Sequence, residues 1–275
     1  MNKKIGIIGY GNMGSAIVER IKGDYAVSLF DKDTAKTAHV PGVTVCGNAQ
    51  ELVSTCDAVI LAVKPQDFAI TLTEIKPALN ADKVIISIAA GVTTSFIESR
   101  IGVCRVIRTM PNMPAQIGAG VTGITTGKFA AQEDIDLAED LFEYVGEVIF
   151  VEESKMSAVT AVSGSGPAYV CYFFEKNNIN VDRIPQDKMD YFIDAFIAAA
   201  LNTGLEEDVS RNLVRSTYSG TVKYLKDTAV VPAELRRRVT SKGGTTEAAI
   251  AVLENGGALS EAVLAAARRA EELSQ

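Results

Sequence analysis

This sequence of 275 residues predicts an α/β first half followed by an all-helical second half. Three observations carry that prediction. Short β-branched runs alternate with helical patterns up to about residue 152, a glycine-rich turn joins the first run to the first helix, and Ala-rich segments with apolar residues at helical spacing fill the remainder. No Gly/Ser linker separates the halves, and the expected division is 1–152 and 153–275.

In the first half, strands are expected at 4–8, 27–30, 43–45, 58–63, 83–88, 105–109, 121–125 and 147–151. Helices between them include 13–22, 50–55, 67–79 and 132–145. Such βαβ alternation implies a mainly parallel sheet with helices on both faces. In the second half the helical segments are 157–175, 188–203, 208–225, 246–255 and 260–273. Several carry apolar residues on more than one side, as over 192–201, which points to burial against other helices or another subunit.

Composition narrows the function. A hydrophobic content of 47% suits a folded core, and a formal net charge of −7 leaves no basic excess for a phosphate backbone or an anionic membrane surface. Neither nucleic acid nor membrane is an expected partner. No apolar run approaches the roughly 18 to 20 residues of a spanning helix. The apolar run near the N-terminus is broken by Gly6, Gly9 and Gly11 and reads as no export signal, so a soluble cytoplasmic protein is expected. Cys46, Cys56, Cys104 and Cys171 are scattered without a CxxC pair and are expected to be reduced and mostly buried. The lone His39, placed in a surface loop, excludes a His-rich metal site, and no metal is expected.

The glycine turn reads Gly9-Tyr10-Gly11-Asn12-Met13-Gly14 and follows the first strand at once. Gly9 permits the tight turn, Gly11 lets the backbone approach a pyrophosphate, and Gly14 lets helix and strand pack closely. The phosphates would then sit on free amides at a helix N-terminus. Asp31 ends the next strand 22 residues after Gly9, near the spacing of a ribose-binding acid. Together these features predict a Rossmann-type dinucleotide-binding domain. Asp31 favours NADH by charge, whereas Lys32 and Lys36 could each reach a 2′-phosphate, so NADPH and NADH both stand.

Two motifs mark the helical half. Ser241-Lys242-Gly243-Gly244-Thr245-Thr246 is a small, hydroxyl-bearing loop feeding an Ala-rich helix, suited either to holding a carboxylate or to capping that helix. Ser163-Gly164-Ser165-Gly166-Pro167 suits a phosphate loop, a tight turn or close approach of a ring. It is no nucleophile elbow, because no histidine is at hand and it does not follow a strand.

These motifs, with Ala62-Val63-Lys64-Pro65, Ser87 to Val92, Met110-Pro111-Asn112-Met113-Pro114 and the stretch from Pro232 to Glu254, resemble pyrroline-5-carboxylate reductase over nearly the whole chain. The resemblance implies an oxidoreductase that reduces 1-pyrroline-5-carboxylate to L-proline with NADPH or NADH, the last step of proline biosynthesis. It also implies that the helical half serves dimerisation, as a homodimer or larger homo-oligomer. By the same resemblance, Thr245 and Thr246 hold the substrate carboxylate with Gly243 and Gly244, and Thr246 lies near the imine nitrogen as the catalytic candidate. Ser163, Gly164, Ser165 and Gly166 lie beside the ring, and Glu153 is a further substrate contact. Ala62 to Pro65 and Ile88, Ala89 and Ala90 line the nicotinamide side, and Asn48 the adenosine side.

There are departures from the family. Residues 176–191 look like an insertion, and Arg238 stands where some members carry asparagine; of Arg236, Arg237 and Arg238, two are expected to face solvent. Two other readings compete. A β-hydroxyacid dehydrogenase shares the two-part layout but places a catalytic lysine where this chain has Val170, which leaves an alcohol without a proton acceptor. A non-enzymatic nucleotide sensor would not need the second, anion-binding loop.

Overall fold

The computed structural model describes residues 3–274; Met1 and Asn2, at the head of the segment read for an export signal, lie outside the described residues, as does Gln275. The chain gathers into two compact units, one of residues up to 109 with 124–153, the other of 110–123 with 154–274.

In the first unit the chain lays down β1 (Lys4–Ile8), α1 (Asn12–Ile21), β2 (Ala26–Phe30), β3 (Thr44–Val45), α2 (Ala49–Thr55), β4 (Ala58–Leu61), α3 (Pro65–Ile75), β5 (Val84–Ser87), α4 (Thr94–Ile101) and β6 (Arg105–Met110). Then come β7 (Gly120–Thr126), whose first residues, 120–123, group with the second unit, α5 (Gln132–Glu143) and β8 (Gly146–Phe150), and the eight strands stand in the order β3-β2-β1-β4-β5-β6-β7-β8. From β3 across to β6 the pairing is parallel, with Ile5 opposite Val27 on one side and Ala58 on the other. The order reverses between β1 and β4, which is where open α/β sheets bind ligands. Every residue of β4 (AVIL) and β5 (VIIS) is buried, as befits strands covered on both faces. One side of the core joins Leu52, Phe68, Leu72, Ile97 and Val106.

The structure adjusts several expected boundaries for identifiable reasons. The strand expected over 58–63 stops at Leu61, so Ala62 and Val63 leave the sheet. The helix expected over 67–79 starts at Pro65, whose missing N–H costs nothing in a first turn, and ends at Ile75, after which Lys76–Ala78 tighten into a 3-10 turn around Pro77. The sequence pattern predicts no helix at α4. Its signals were present: Thr93 accepts from the Phe96 amide at 3.1 Å, and Gly102 ends it at φ 89°.

The second unit comprises α6 (Met156–Val159), α7 (Gly166–Lys176), α8 (Gln186–Leu201), α9 (Glu207–Thr228), α10 (Pro232–Val239), α11 (Thr245–Glu254) and α12 (Leu259–Glu272). The single helix expected over 157–175 is interrupted. Between α6 and α7, Thr160–Gly164 form a π turn in which the Ser165 amide donates to the Thr160 carbonyl at 3.0 Å. Pro167 lacks the amide that a continuous helix would require and its ring would strike the turn before it, so the helix widens and restarts at Gly166. Tyr169, buried, donates its hydroxyl to the Ala161 carbonyl at 3.0 Å and stacks edge-on against Phe196 at 5.6 Å. α10, also unexpected, begins with Pro232 in its first turn.

His39 lies in an exposed turn, and among the described residues no helix is long and apolar enough to cross a membrane and no acidic, His or Cys group could hold a metal. All four cysteines are free and buried. Burial pushes the Cys104 thiol up to about 11 and raises Cys46 and Cys171 as well. A native sample is therefore expected to react negligibly with a thiol reagent near pH 8 and to yield four thiols only after denaturation, since the thiolate is the reacting form. Rapid labelling without denaturant would show that the helical or sheet core opens.

Candidate active site

The crevice at the C-terminal ends of β1 and β4 is built by three glycines that do different work. Gly9 has φ 103°, its amide donates to the Phe30 carbonyl at 2.8 Å, and a side chain there would lie 2.6 Å from the Ala62 carbonyl. Gly14 is pressed against the Gly9 carbonyl. Gly11, in contrast, faces open space. It is the N-cap of α1, which has no side-chain cap and no acid in its first turn, the half containing Asn12 and Met13. An anion is favoured there by the helix dipole and by outward amides.

A cavity of about 600 Å³ opens from this turn and is lined by Gly9, Gly11, Asp31, Lys32, Lys36, Ala62, Val63 and Lys64, among others. The donor set and the open approach at Gly11 fit a dinucleotide. Asp31 is buried, and its two carboxylate oxygens accept the Tyr10 amide at 2.6 Å and the Asp33 amide at 2.8 Å. The carboxylate thus fixes the glycine turn to the end of β2, while its remaining lone pairs stay open to ribose hydroxyls. Lys36 approaches Asp31 at 3.7 Å, and Lys32 pairs with Asp67 at 2.9 Å.

Other residues named for the cofactor lie off this cavity wall. Asn48 caps α2, accepting the Glu51 amide at 2.8 Å, and Pro65 begins α3. Ile88, whose amide donates to the Leu61 carbonyl at 3.2 Å, follows β5 with Ala89, whose amide donates to the Ser87 hydroxyl at 3.3 Å, and with the exposed Ala90.

In the second unit, the loop before α11 meets the start of α7. Thr246, buried, donates its hydroxyl to Ser165 at 3.0 Å, and Ser165 lies 2.9 Å from the Thr245 hydroxyl. Because Ser165 accepts from Thr246, its single proton is available to Thr245. Neither threonine is the helix cap. That place is Gly244, and Glu247 reaches back to accept the Gly243 amide at 2.7 Å, while the Arg269 Nε donates to the Gly243 carbonyl at 2.8 Å. The result is a fixed loop that leads uncapped amides and two hydroxyls into one helix N-terminus.

The remaining residues of the small-residue motif have packing duties. Ser163 donates to the Val159 carbonyl at 3.1 Å inside the helix, and Gly166 admits the Thr217 side chain where a methyl would lie 2.6 Å from it. Gly164 borders the Met110 side chain. Val170 is wholly buried. Glu153, in the first unit, is paired with the buried Arg108 and accepts from the Thr94 hydroxyl at 2.8 Å and the Thr94 amide at 3.2 Å. Arg236 grips Glu175 through two contacts of 2.9 Å, while Arg237 and Arg238 project outward and share Glu234, whose carboxyl their hydrogen bonds hold down to about 2.

Comparison with known proteins agrees with this arrangement. Over 286 aligned residues that cover all of both chains, the sequence is 35% identical to pyrroline-5-carboxylate reductase of Synechocystis, and it is 35% identical to that of Methanosarcina acetivorans over 100% of this chain and 99% of the relative. The chain belongs to the pyrroline-5-carboxylate reductase family. A family profile described as pyrroline-5-carboxylate reductase dimerisation matches residues 153–178 and 189–273, and one described as NADP oxidoreductase, coenzyme F420-dependent, matches 4–91. The solved Coxiella burnetii reductase is 32% identical over the full length of both chains with a TM-score of 0.66. The Plasmodium falciparum enzyme, solved with NADP bound, is 26% identical over 100% of this chain and 99% of its own, with a TM-score of 0.64. The family profile skips 179–188, inside the stretch read as an insertion, which here forms the turn between α7 and α8 and the opening of α8.

The three glycines separate structure from binding. Gly9→Ala is expected to lose roughly 1–3 kcal/mol of stability, because alanine is strained at φ 103°. Gly11→Ala should change stability by no more than about 0.5 kcal/mol yet weaken dinucleotide binding about tenfold. Thermal melts and nucleotide titrations of the two variants check this, and equal damage to both properties in both variants would contradict it.

Proposed function

We infer that this protein reduces 1-pyrroline-5-carboxylate to L-proline with a reduced nicotinamide dinucleotide, the last step of proline biosynthesis. The observation that carries the reading is the Thr246–Ser165–Thr245 hydroxyl cluster at the N-terminus of α11, in a chain that matches these reductases from end to end. The dinucleotide is assigned to the glycine turn, with Gly9, Gly11, Asn12, Met13, Gly14, Asp31 and Lys32 and with Ala62 to Lys64 along the wall. Pro65, Ile88, Ala89 and Ala90 and, at the adenosine side, Asn48 belong to the same assignment. The domain division at about 152 is likewise part of this reading: dinucleotide binding before it, substrate binding and homodimer formation after it. A cytoplasmic location accords with the four unpaired, buried thiols.

When bound, the reduced dinucleotide supplies the hydride that adds to the imine carbon. The chain's own residues have the simpler tasks of binding and orientation. The substrate carboxylate is assigned to the amides and hydroxyls at Gly243, Gly244, Thr245 and Thr246, where the helix dipole favours negative charge. With its proton given to Ser165, the Thr246 oxygen presents lone pairs and can accept from the N–H of a protonated imine, orienting an already electrophilic C=N bond. Ser165 thereby fixes the direction of both threonine hydroxyls. Gly164 and Gly166 are assigned to the ring side of the site through their backbone, since Met110 and Thr217 occupy the space a side chain would take there; Ser163 backs the turn, and Glu153 is retained as a substrate contact. Positioning of this kind can supply much of a rate when reacting atoms are held roughly 3–3.5 Å apart.

Val170 leaves the β-hydroxyacid dehydrogenase reading without its base. The direct check is loss of reduced nicotinamide absorbance on mixing purified protein with 1-pyrroline-5-carboxylate. Turnover is expected, with Thr246→Ser close to wild type and Thr246→Val lower in kcat/KM by about ten- to a hundredfold, the size of a lost hydrogen bond to a charged group. A folded protein that binds dinucleotide but gives no turnover would remove the reductase reading.

A further inference from the structure

The dinucleotide crevice carries a charge arrangement that the reductase reading alone does not use. Six ionisable side chains line it: Lys32, Lys36 and Lys64 against Asp31, Asp67 and Glu74. Formal charge at the crevice wall is therefore balanced. The two acids nearest the ribose end differ in freedom. Asp31 is buried and fixed by two backbone amides, so replacing it would loosen the glycine turn as well as free Lys36. Asp67 sits in the first turn of α3, its side chain about one-third exposed, and meets Lys32 at 2.9 Å across 35 residues of sequence. Lys32 immediately follows the ribose-side acid, and its exposed ammonium lines the crevice, so it is a cation placed to meet a 2′-phosphate.

We propose that Asp67 is a specificity-determining residue for the dinucleotide, lowering the preference for a 2′-phosphate by holding the Lys32 ammonium that would otherwise receive it. The proposal rests on the assignment of this crevice to the dinucleotide. A 2′-phosphate carries a charge of about −1.5 to −2 at neutral pH, as phosphate monoesters do. To reach Lys32 it must displace the Asp67 carboxylate and tolerate its repulsion. A 2′-hydroxyl meets neither obstacle. Exposed ion pairs are weak, so the effect is a graded one of a few fold.

The test is a titration of the intact protein with NADPH and NADH, read by nicotinamide fluorescence without substrate, with 2′,5′-ADP and ADP as competitors. Asp67→Asn is expected to tighten NADPH and 2′,5′-ADP about two- to fivefold while NADH and ADP move by less than twofold, the scale of an exposed pair. Lys32→Ala should weaken only the 2′-phosphorylated ligands. In the Lys32→Ala background, Asp67→Asn should lose most of its effect, because its action runs through Lys32. Asp67→Asn acting equally on all four ligands, or equally with and without Lys32, would overturn the proposal. If no nucleotide binds a wild-type protein that melts cooperatively, the crevice assignment itself fails and the proposal with it.

Discussion

The close approach of the Gly9 turn to the Ala62 carbonyl is the constraint on which the first unit depends. β1 and β4 are hydrogen-bonded neighbours at the reversal of strand order, and the chain leaving β1 must turn immediately above the chain leaving β4. A side chain at Gly9 would hold them apart and one at Gly14 would strike the turn itself, so only glycine permits the helix to begin where it does. Asp31 then locks this geometry from the side by accepting the Tyr10 and Asp33 amides. The uncapped amides of α1 and the cavity wall are consequences of that lock.

The helical unit is governed by a different local conflict. Pro167 sits where apolar periodicity asks for an unbroken helix, and the chain resolves this with a π turn and a restart at Gly166. The break has a geometric product. It places Ser165 at the head of α7 with its hydroxyl directed to the head of α11, 80 residues on, and Tyr169 satisfies the carbonyl at Ala161. An uninterrupted helix would keep the serine hydroxyl for its own backbone, as Ser163 does two residues earlier.

What could be read from the sequence follows the range of the interaction. All eight strands are legible: β4 and β5, buried on both faces, leave continuous apolar runs, the more exposed β3 and β8 are still short β-branched runs, and the glycine turn is legible because its sterics are local. α4 is hard to see although Thr93 and Gly102 bracket it, since eight residues give little periodicity. Pro167 is visible, but the helical pattern on either side of it masks the break. Least legible were the pairings: Lys32 with Asp67, Arg108 with Glu153 and Ser165 with Thr246 lie 35, 45 and 81 residues apart. A buried arginine in a strand such as Arg108 does announce that some carboxylate must meet it, but not which one.

On the proposed assignment, the hydroxyl cluster also explains why a reductase site can be so poor in acids and bases. Oxidising an alcohol needs a group to take its proton, and the buried Val170, where the β-hydroxyacid dehydrogenase reading would require a lysine, cannot do so. A protonated imine arrives already activated and leaves as an amine, so the protein need only hold its charge and fix its face. Hydroxyls do this without titrating. A chain Thr246 to Ser165 to Thr245, with the first proton donated inward, presents an acceptor at one end and a donor at the other. Those are the complements of an N–H and a carboxylate, the two polar groups that a cyclic imino acid carries.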